Sequence, residues 1–258
     1  MKKRLFIGLV IVLVVGIVGY SYVAQFYVVP ILMYHHVDAL AHDGTNSVLV
    51  KNFSRQMEFL HRRGYNVISL DDLVEGAKAN KKFPRNSVVI TFDDGYENNY
   101  LFAYSYLKKY NFPAIIFIAP TLIGEEEYLN WDEAREVLEN KISFGGHSLT
   151  HQYLPDIKDE KELIEQIVGC KRLIEAELNE PVEFFCYPIG GFNEKIKKIV
   201  KDVGYKAACT TNRGFDKFNR DLFELKRIKI TDSDANLIHF WGKLSGYYNL
   251  FRKPRNPD

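Results

Sequence analysis

Cysteine is scarce in this chain. Three occur in 258 residues, Cys170, Cys186 and Cys209, widely spaced and with no CxxC pair. That spacing excludes a zinc knuckle or a dithiol redox motif. Cys186 and Cys209 lie in apolar runs and read as inert core thiols, with one disulfide among the three left open. Excess charge is missing too. The formal net charge is +1, so nothing calls for an acidic polymer as partner, and nucleic-acid binding has no electrostatic footprint. Internal repeats and low-complexity tracts are absent. What remains is the composition of an ordinary globular chain, 47% hydrophobic and 26% charged, long enough for one large α/β domain or two small ones.

One hydrophobic run stands apart. After MKKR, the stretch LFIGLVIVLVVGIVGYSYV carries no charge from Leu5 to Val23, about the length that spans a bilayer. The basic cluster Lys2, Lys3 and Arg4 belongs on the cytoplasmic side. No clear A-x-A cleavage site follows. Residues 1–25 are therefore expected to form an uncleaved signal anchor, with the main domain (26–250) outside the membrane and a flexible tail at 251–258. Secretion after cleavage is the alternative.

Beyond the anchor, short apolar runs alternate with amphipathic segments. Strands are expected at 26–34, 87–92, 114–118, 142–146, 183–187, 206–210 and 225–230. Helices are expected at 53–63, 71–79, 98–110, 131–139, 159–178, 193–203 and 235–244. Continuous apolar strands alternating with helices imply a parallel sheet covered by helices, either a barrel or an open sheet. In such folds the active site lies at the C-terminal ends of the strands. Four strand ends carry polar or glycine-rich sequence: His35–His36, Asp93–Asp94, His147, and Pro188 with Gly190.

The stretch TFDDGYENNY, residues 91–100, ends a buried strand with two adjacent carboxylates. Burying them together is costly. In GGHSLTH, residues 145–151, His147 and His151 are four apart, which on a helical turn sets their Cβ atoms about 5–6 Å apart. Two histidines and one carboxylate make a metal site with open positions. A divalent ion offsets the carboxylate repulsion and lowers the pKa of its water from near 16 towards roughly 7. One aspartate then binds the ion while its neighbour stays off it and accepts a proton.

TFDDG, HSLTH and YPIGG, in this order, resemble the motifs of the polysaccharide deacetylases, carbohydrate esterase family four, or NodB homology domain. The resemblance runs from about residue 30 to 230 and includes ILMYHHV, FSRQMEFLHRRGYNVISLDDL, KYNFPAIIFIAP and LKRIKI. It implies a distorted (β/α)7 barrel preceded here by the transmembrane helix. It also implies a metal-dependent hydrolase that removes N-acetyl groups from a cell-surface, cell-wall or extracellular amino-sugar polymer (poly-N-acetylglucosamine, peptidoglycan or chitin-like) and releases acetate. By the same resemblance Asp93 is the general base, and Asp94, His147 and His151 hold the ion. Zinc is usual in the family, while a two-His, one-Asp set also accepts Co2+, Ni2+ or Mn2+. Tyr187, Pro188, Ile189 and Gly190 wall the groove, and the Ile189 N–H helps hold the oxyanion. Tyr96 and His36 are further candidates for substrate contact.

Two positions depart from the pattern. Cys186 stands where familiar members have an arginine that pairs with the base, so Arg227 is the candidate to orient Asp93. The C-terminal L-x-H of familiar members corresponds here to Leu237-Ile238-His239, which reads as helix. An N-terminal Tyr-His, as in the permuted poly-N-acetylglucosamine deacetylases, makes His35 the expected general acid instead. The expected partners are an N-acetylated glycan and the membrane, with no nucleic acid and no obligate protein partner. The alternatives are hydrolysis of a non-sugar C–N bond on the same scaffold, or glycan binding without catalysis.

Overall fold

The computed structural model describes residues 2–40, 46–212, 214, 216, 220–250 and 252. Its strands are built from apolar runs too short for helices. They are β1 (Ile31–Tyr34), β2 (His36–Asp38), β3 (Ser47–Leu49), β4 (Asn66–Val67), β5 (Ser87–Phe92), β6 (Ala114–Ile118), β7 (Ile142–Gly146), β8 (Phe184–Cys186), β9 (Ala207–Thr210), β10 (Leu225–Lys226) and β11 (Ile228–Lys229). The principal strands pair in parallel in the order β10-β9-β8-β7-β6-β5-β1-β11. The segment LKRIKI, expected as one strand, is interrupted at Arg227. Its first half pairs with β9 and its second half with β1. The sheet thereby curls into a nearly closed barrel of seven staves among the described residues, with β10 and β11 sharing the seventh.

Side chains alternate across each strand, and the alternation sorts the core into two layers. Ile31, Val89, Ile115, Phe117, Phe184, Cys186, Ala207 and Cys209 belong to an inner cluster. Leu32, Val88, Ile90, Ile116, Phe185 and Ala208 face outward into the cluster shared with the helices. Those helices are α2 (Val50–Arg62), α3 (Leu70–Lys78), α4 (Tyr104–Tyr110), α5 (Trp131–Leu138), α6 (Glu160–Leu178), α7 (Glu194–Asp202) and α8 (Leu237–Lys243). The same parity places Met33, Thr91, Asp93 and Arg227 on the inner face, above the apolar floor.

Several expectations need correction. The strand expected at 26–34 begins only at Ile31. Before it, Tyr27 donates to the Pro84 and Ser87 carbonyls, and Pro30 has no N–H to give a ladder. The helix expected from 98 opens with a π-wound turn, Asn99–Ala103, before α4. The one expected from 235 opens with a 3-10 turn, Asp232–Ala235. Cys170, Cys186 and Cys209 are all free and buried, so no disulfide joins them. The tail at 251–258 lies outside the described residues, Arg252 excepted.

At the N-terminus, α1 (Lys2–Ala24) is a helix whose described apolar side chains, Phe6, Ile7 and Leu9 among them, are exposed. Among the described residues no helix is long and apolar enough to cross a membrane. The end of α1 meets the barrel where Arg85 donates to the Tyr20 hydroxyl at 2.8 Å.

Candidate active site

Asp93 and Asp94 sit just past β5. The Asp93 N–H extends the ladder to β1 by donating to the Tyr34 carbonyl at 3.0 Å, which keeps its side chain on the inner face. The backbone then turns left-handed at Asp94 (φ 75°) and Gly95 (φ 78°). A Cβ on Gly95 would lie 2.7 Å from Ile118 Cγ2, so only glycine fits that turn. The reversal brings the Asp94 carboxylate back over the barrel mouth.

His147 and His151 come to Asp94 on an irregular loop, and the helical turn expected from their spacing is absent. β7 continues through Gly146, and Ser148 (φ 57°) and His151 (φ 60°) then break any helical path. Gln166 of α6 pins the loop, its carbonyl accepting from the Leu149 N–H and its side chain from Thr150. The His147 Nδ1 donates to the Cys186 carbonyl at 2.7 Å, leaving Nε2 to face Asp94. Asp94 Oδ1 lies 3.3 Å from His147 Nε2 and 3.1 Å from His151 Nε2. Burial works to raise the Asp94 carboxyl, but the hydrogen bonds to the two imidazoles outweigh it and hold the group below the carboxylate range.

This donor set fits a divalent ion. One carboxylate oxygen and two imidazole nitrogens lie within 4.8 Å of one another, and the His147 tautomer is fixed by a carbonyl on its other nitrogen, as metal-ligating imidazoles usually are. Asp93, His147 and Cys186 also cluster this closely. Their donors are committed elsewhere: both Asp93 oxygens to Arg227, and His147 Nδ1 to the carbonyl. Burial also keeps the Cys186 thiol protonated by pushing its pKa up.

Arg227, at the break between β10 and β11, is fully enclosed and uses every guanidinium nitrogen. Nη1 donates to Asp93 Oδ1 at 2.6 Å and Thr91 Oγ1 at 3.0 Å. Nη2 donates to Asp93 Oδ2 at 2.6 Å and Cys186 Sγ at 3.0 Å, and Nε reaches the Thr210 carbonyl at 3.4 Å. The guanidinium also lies over the Phe117 ring. Burial would raise the Asp93 carboxyl, and the Arg227 charge and hydrogen bonds reverse that, holding it below its ordinary value. The break in the last stave therefore coincides with the residue that fixes Asp93.

His35 follows β1 and points its Nε2 at Asp93 Oδ2, 4.0 Å away. Burial lowers its pKa, against the opposing pull of Asp93 and Asp94. His36 turns the other way and stacks on Tyr96, which stacks in turn on Tyr128. Burial, then the Asp94 charge, pushes the Tyr96 hydroxyl up, so it stays protonated beside that carboxylate. His239 is exposed on α8.

These groups open into a cavity of about 740 Å3 lined by His35, Asp93, Asp94, His147, His151 and Ile189. Ile189 carries φ 58° and is 65% exposed, a strained geometry for a β-branched residue. Tyr187 and Pro188 are buried behind it; the Tyr187 hydroxyl is spent on the Phe223 carbonyl. Gly190 packs so close to Thr211 that a Cβ would meet its Oγ1 at 2.0 Å. Of the stretch expected to wall the groove, Ile189 alone is among the lining residues. The far end, formed by Thr231, Ser233, Tyr248 and Asn249, carries no sequence signal, because these residues come from turns that only the closed barrel gathers. Gln166, Asn98 and Asn99 were likewise invisible as site residues: each sits beside other polar residues in a helical pattern, with no spacing that marks it out.

The family model for polysaccharide deacetylases matches residues 80–208, which carry both the β5 turn and the histidine loop. YxkH of Bacillus subtilis (strain 168), which bears a provisional polysaccharide deacetylase name, is 30% identical over 204 residues, covering 78% of this chain and 71% of YxkH. This chain belongs to the polysaccharide deacetylase family. A solved structure titled as the Streptococcus pyogenes deacetylase PplD in complex with acetate matches the fold of this deacetylase with a TM-score of 0.76 and 25% identity, covering 82% of this chain and 96% of that one. A poly-beta-1,6-N-acetyl-D-glucosamine N-deacetylase of Staphylococcus aureus (strain MSSA476) is 28% identical over 212 residues, covering 76% of this chain and 72% of its own.

Proposed function

We propose that this polysaccharide deacetylase hydrolyses the N-acetyl amide of amino-sugar residues in an extracytoplasmic glycan, with poly-N-acetylglucosamine as the leading substrate. The observation that carries the reading is the division of labour between adjacent aspartates. Asp94 is turned towards two imidazole nitrogens, while Asp93 is clamped by Arg227 and faces His35. Asp94, His147 and His151 would hold a divalent ion, zinc by family habit, which would supply Lewis acidity for the attack of a water on the acetyl carbonyl. Asp93 takes the proton of that water. Arg227 keeps Asp93 ionised and in one orientation. His35 protonates the departing amine, and the Ile189 N–H stabilises the tetrahedral oxyanion. The buried carboxylates of TFDDG are thus tolerated because Asp93 is paired with Arg227 and Asp94 would be paired with the ion.

The proposed location is the outer face of the cytoplasmic membrane, tethered by α1. Its support is the uncharged sequence from Leu5 to Val23 behind a basic cluster, the single helix over Lys2–Ala24 and the exposure of its described apolar side chains. The side chains of residues 2–5 and 8, part of the same helix, lie outside the described residues.

Acetate release from poly-β-1,6-N-acetylglucosamine, peptidoglycan and chitin oligomers, measured with zinc-loaded protein, tests the function. Release from at least one polymer, halted by a chelator and restored by the ion, is expected. Binding of all three without acetate release overturns catalysis in favour of a glycan-binding role. A selective loss of turnover in His239→Ala, with His35→Ala active, overturns the assignment of the acid.

A further inference from the structure

The two asparagines that follow the DDG turn tie it to the histidine segment. Asn99 is buried, 2% exposed. Its Nδ2 donates to the His35 carbonyl at 2.7 Å and to Asn98 Oδ1 at 3.0 Å. Two acceptors on one end fix the orientation of the amide. The other end, Asn99 Oδ1, is buried with no hydrogen-bond partner, and so is His35 Nδ1. Asn98 holds the next residues: its Oδ1 accepts from the Val37 N–H at 3.2 Å, and its Nδ2 contacts His36 Nδ1 at 3.1 Å and Asp38 Oδ1 at 2.8 Å. The turn that Asn99 opens is π-wound, a local distortion that recurs at functional sites.

A ring that delivers a proton from Nε2 passes through an imidazolium state, in which Nδ1 also carries hydrogen and needs an acceptor. Buried polar atoms without partners are rare in folded proteins. Here an unsatisfied acceptor and an unsatisfied ring nitrogen belong to two side chains already joined through a carbonyl. We propose that Asn99 is the positioning residue for His35: Nδ2 grips the His35 carbonyl, and Oδ1, not bonded to the ring in this structure, accepts a hydrogen bond from Nδ1–H after a small shift once the ring is protonated, with Nε2 kept towards Asp93 and the departing amine. This rests on the reading of His35 as general acid.

A leaving group that needs no proton separates this role from scaffolding. Zinc-loaded full-length protein is assayed on an N-acetylated glucosamine oligomer and on 4-nitrophenyl acetate, whose phenolate departs without general-acid help. Asn99→Leu is expected to lower kcat on the amide roughly 10- to 100-fold, with KM nearly unchanged and ester turnover within about threefold. Zinc affinity, read by chelator competition, should not move. Asn99→Asp keeps an acceptor and the shape but loses the Nδ2 donor to the His35 carbonyl, so it is expected to show the same amide-selective loss to a smaller extent than Asn99→Leu, and it serves as the test variant if the leucine protein fails to fold. Equal losses on amide and ester, or no loss on either, overturn the proposal. His35→Ala is the control. If it lacks the amide-selective loss, the acid assignment itself fails. If it shows that loss and the Asn99 variants do not, the positioning role alone fails.

Discussion

Asp93 is an anion with 1% exposure, and its ionisation depends chiefly on Arg227. Burial favours its neutral form, and the bidentate Arg227 contact reverses the balance. A carboxyl depressed in this way stabilises the fold at pH values above its unfolded pKa of about 3.9, and that contribution is lost as pH falls through the lower folded value. The proposed role of Asp93 as base also needs the anion, so on that reading Arg227 keeps the enzyme active into acid. Arg227→Lys replaces the planar fork with a point charge. It should weaken the depression, move the acid limb of the kcat/KM profile to higher pH and lower kcat, all read from a pH–rate series. Arg227→Ala leaves the buried charge unpaired and should cost about 3–5 kcal/mol of stability by denaturant titration. An unshifted acid limb in the lysine variant contradicts the assigned role. At Asp94 the expectation differs: Asp94→Asn should reduce zinc affinity by at least about tenfold, measured by chelator competition, because an amide is a far weaker ligand than a carboxylate.

At the scale of elements, the site is made by turns that leave strands in unusual conformations, and this is where sequence and structure part company. The bounds of β5, β6 and β7 coincide with mostly apolar runs that stop before Asp93, Ala119-Pro120 and His147, because a parallel strand covered on both faces shows itself as such a run. β2, β3 and β4 span two or three residues each, too few for an alternation to be visible. LKRIKI was legible as a strand, but its split at Arg227 was not, because the break follows from two different neighbours rather than from local preference. His147 and His151 were legible as a pair, whereas the loop geometry depends on Gln166, fifteen residues beyond His151 on another element. Two turn positions give opposite predictions. Gly95→Ala forces a Cβ into Ile118 at positive φ and should lower both Tm and zinc affinity. Ile189→Gly relieves a left-handed β-branched residue whose side chain is largely in solvent. It should raise Tm, by up to the strain of about 1–3 kcal/mol less the added chain entropy of glycine, while raising KM for oligomers if the Ile189 side chain contacts sugar.

The whole molecule has two ends with separate tasks. The mouth gathers the C-terminal ends of β1, β5, β7 and β8. The opposite face receives α1, through Tyr20 on Arg85 and Tyr27 on the carbonyls of Pro84 and Ser87, where β5 begins. The Val28 N–H adds a bond to the Gly246 carbonyl. Contacts from Tyr27 onward belong to the barrel, whereas the Arg85–Tyr20 contact is exposed and of the kind that contributes little. A protein beginning at Gln25 should therefore keep the barrel Tm within about 2 °C and its turnover on soluble oligomers, because the described residues lining the mouth all lie outside α1. Full-length protein should sediment with phospholipid vesicles and remain there in high salt, since apolar burial rather than charge would hold it. The shortened protein should stay in the supernatant. Equal sedimentation of the two forms would remove the tether from the proposed location, and a collapse of turnover in the shortened form would mean that α1 supports the barrel through contacts beyond these.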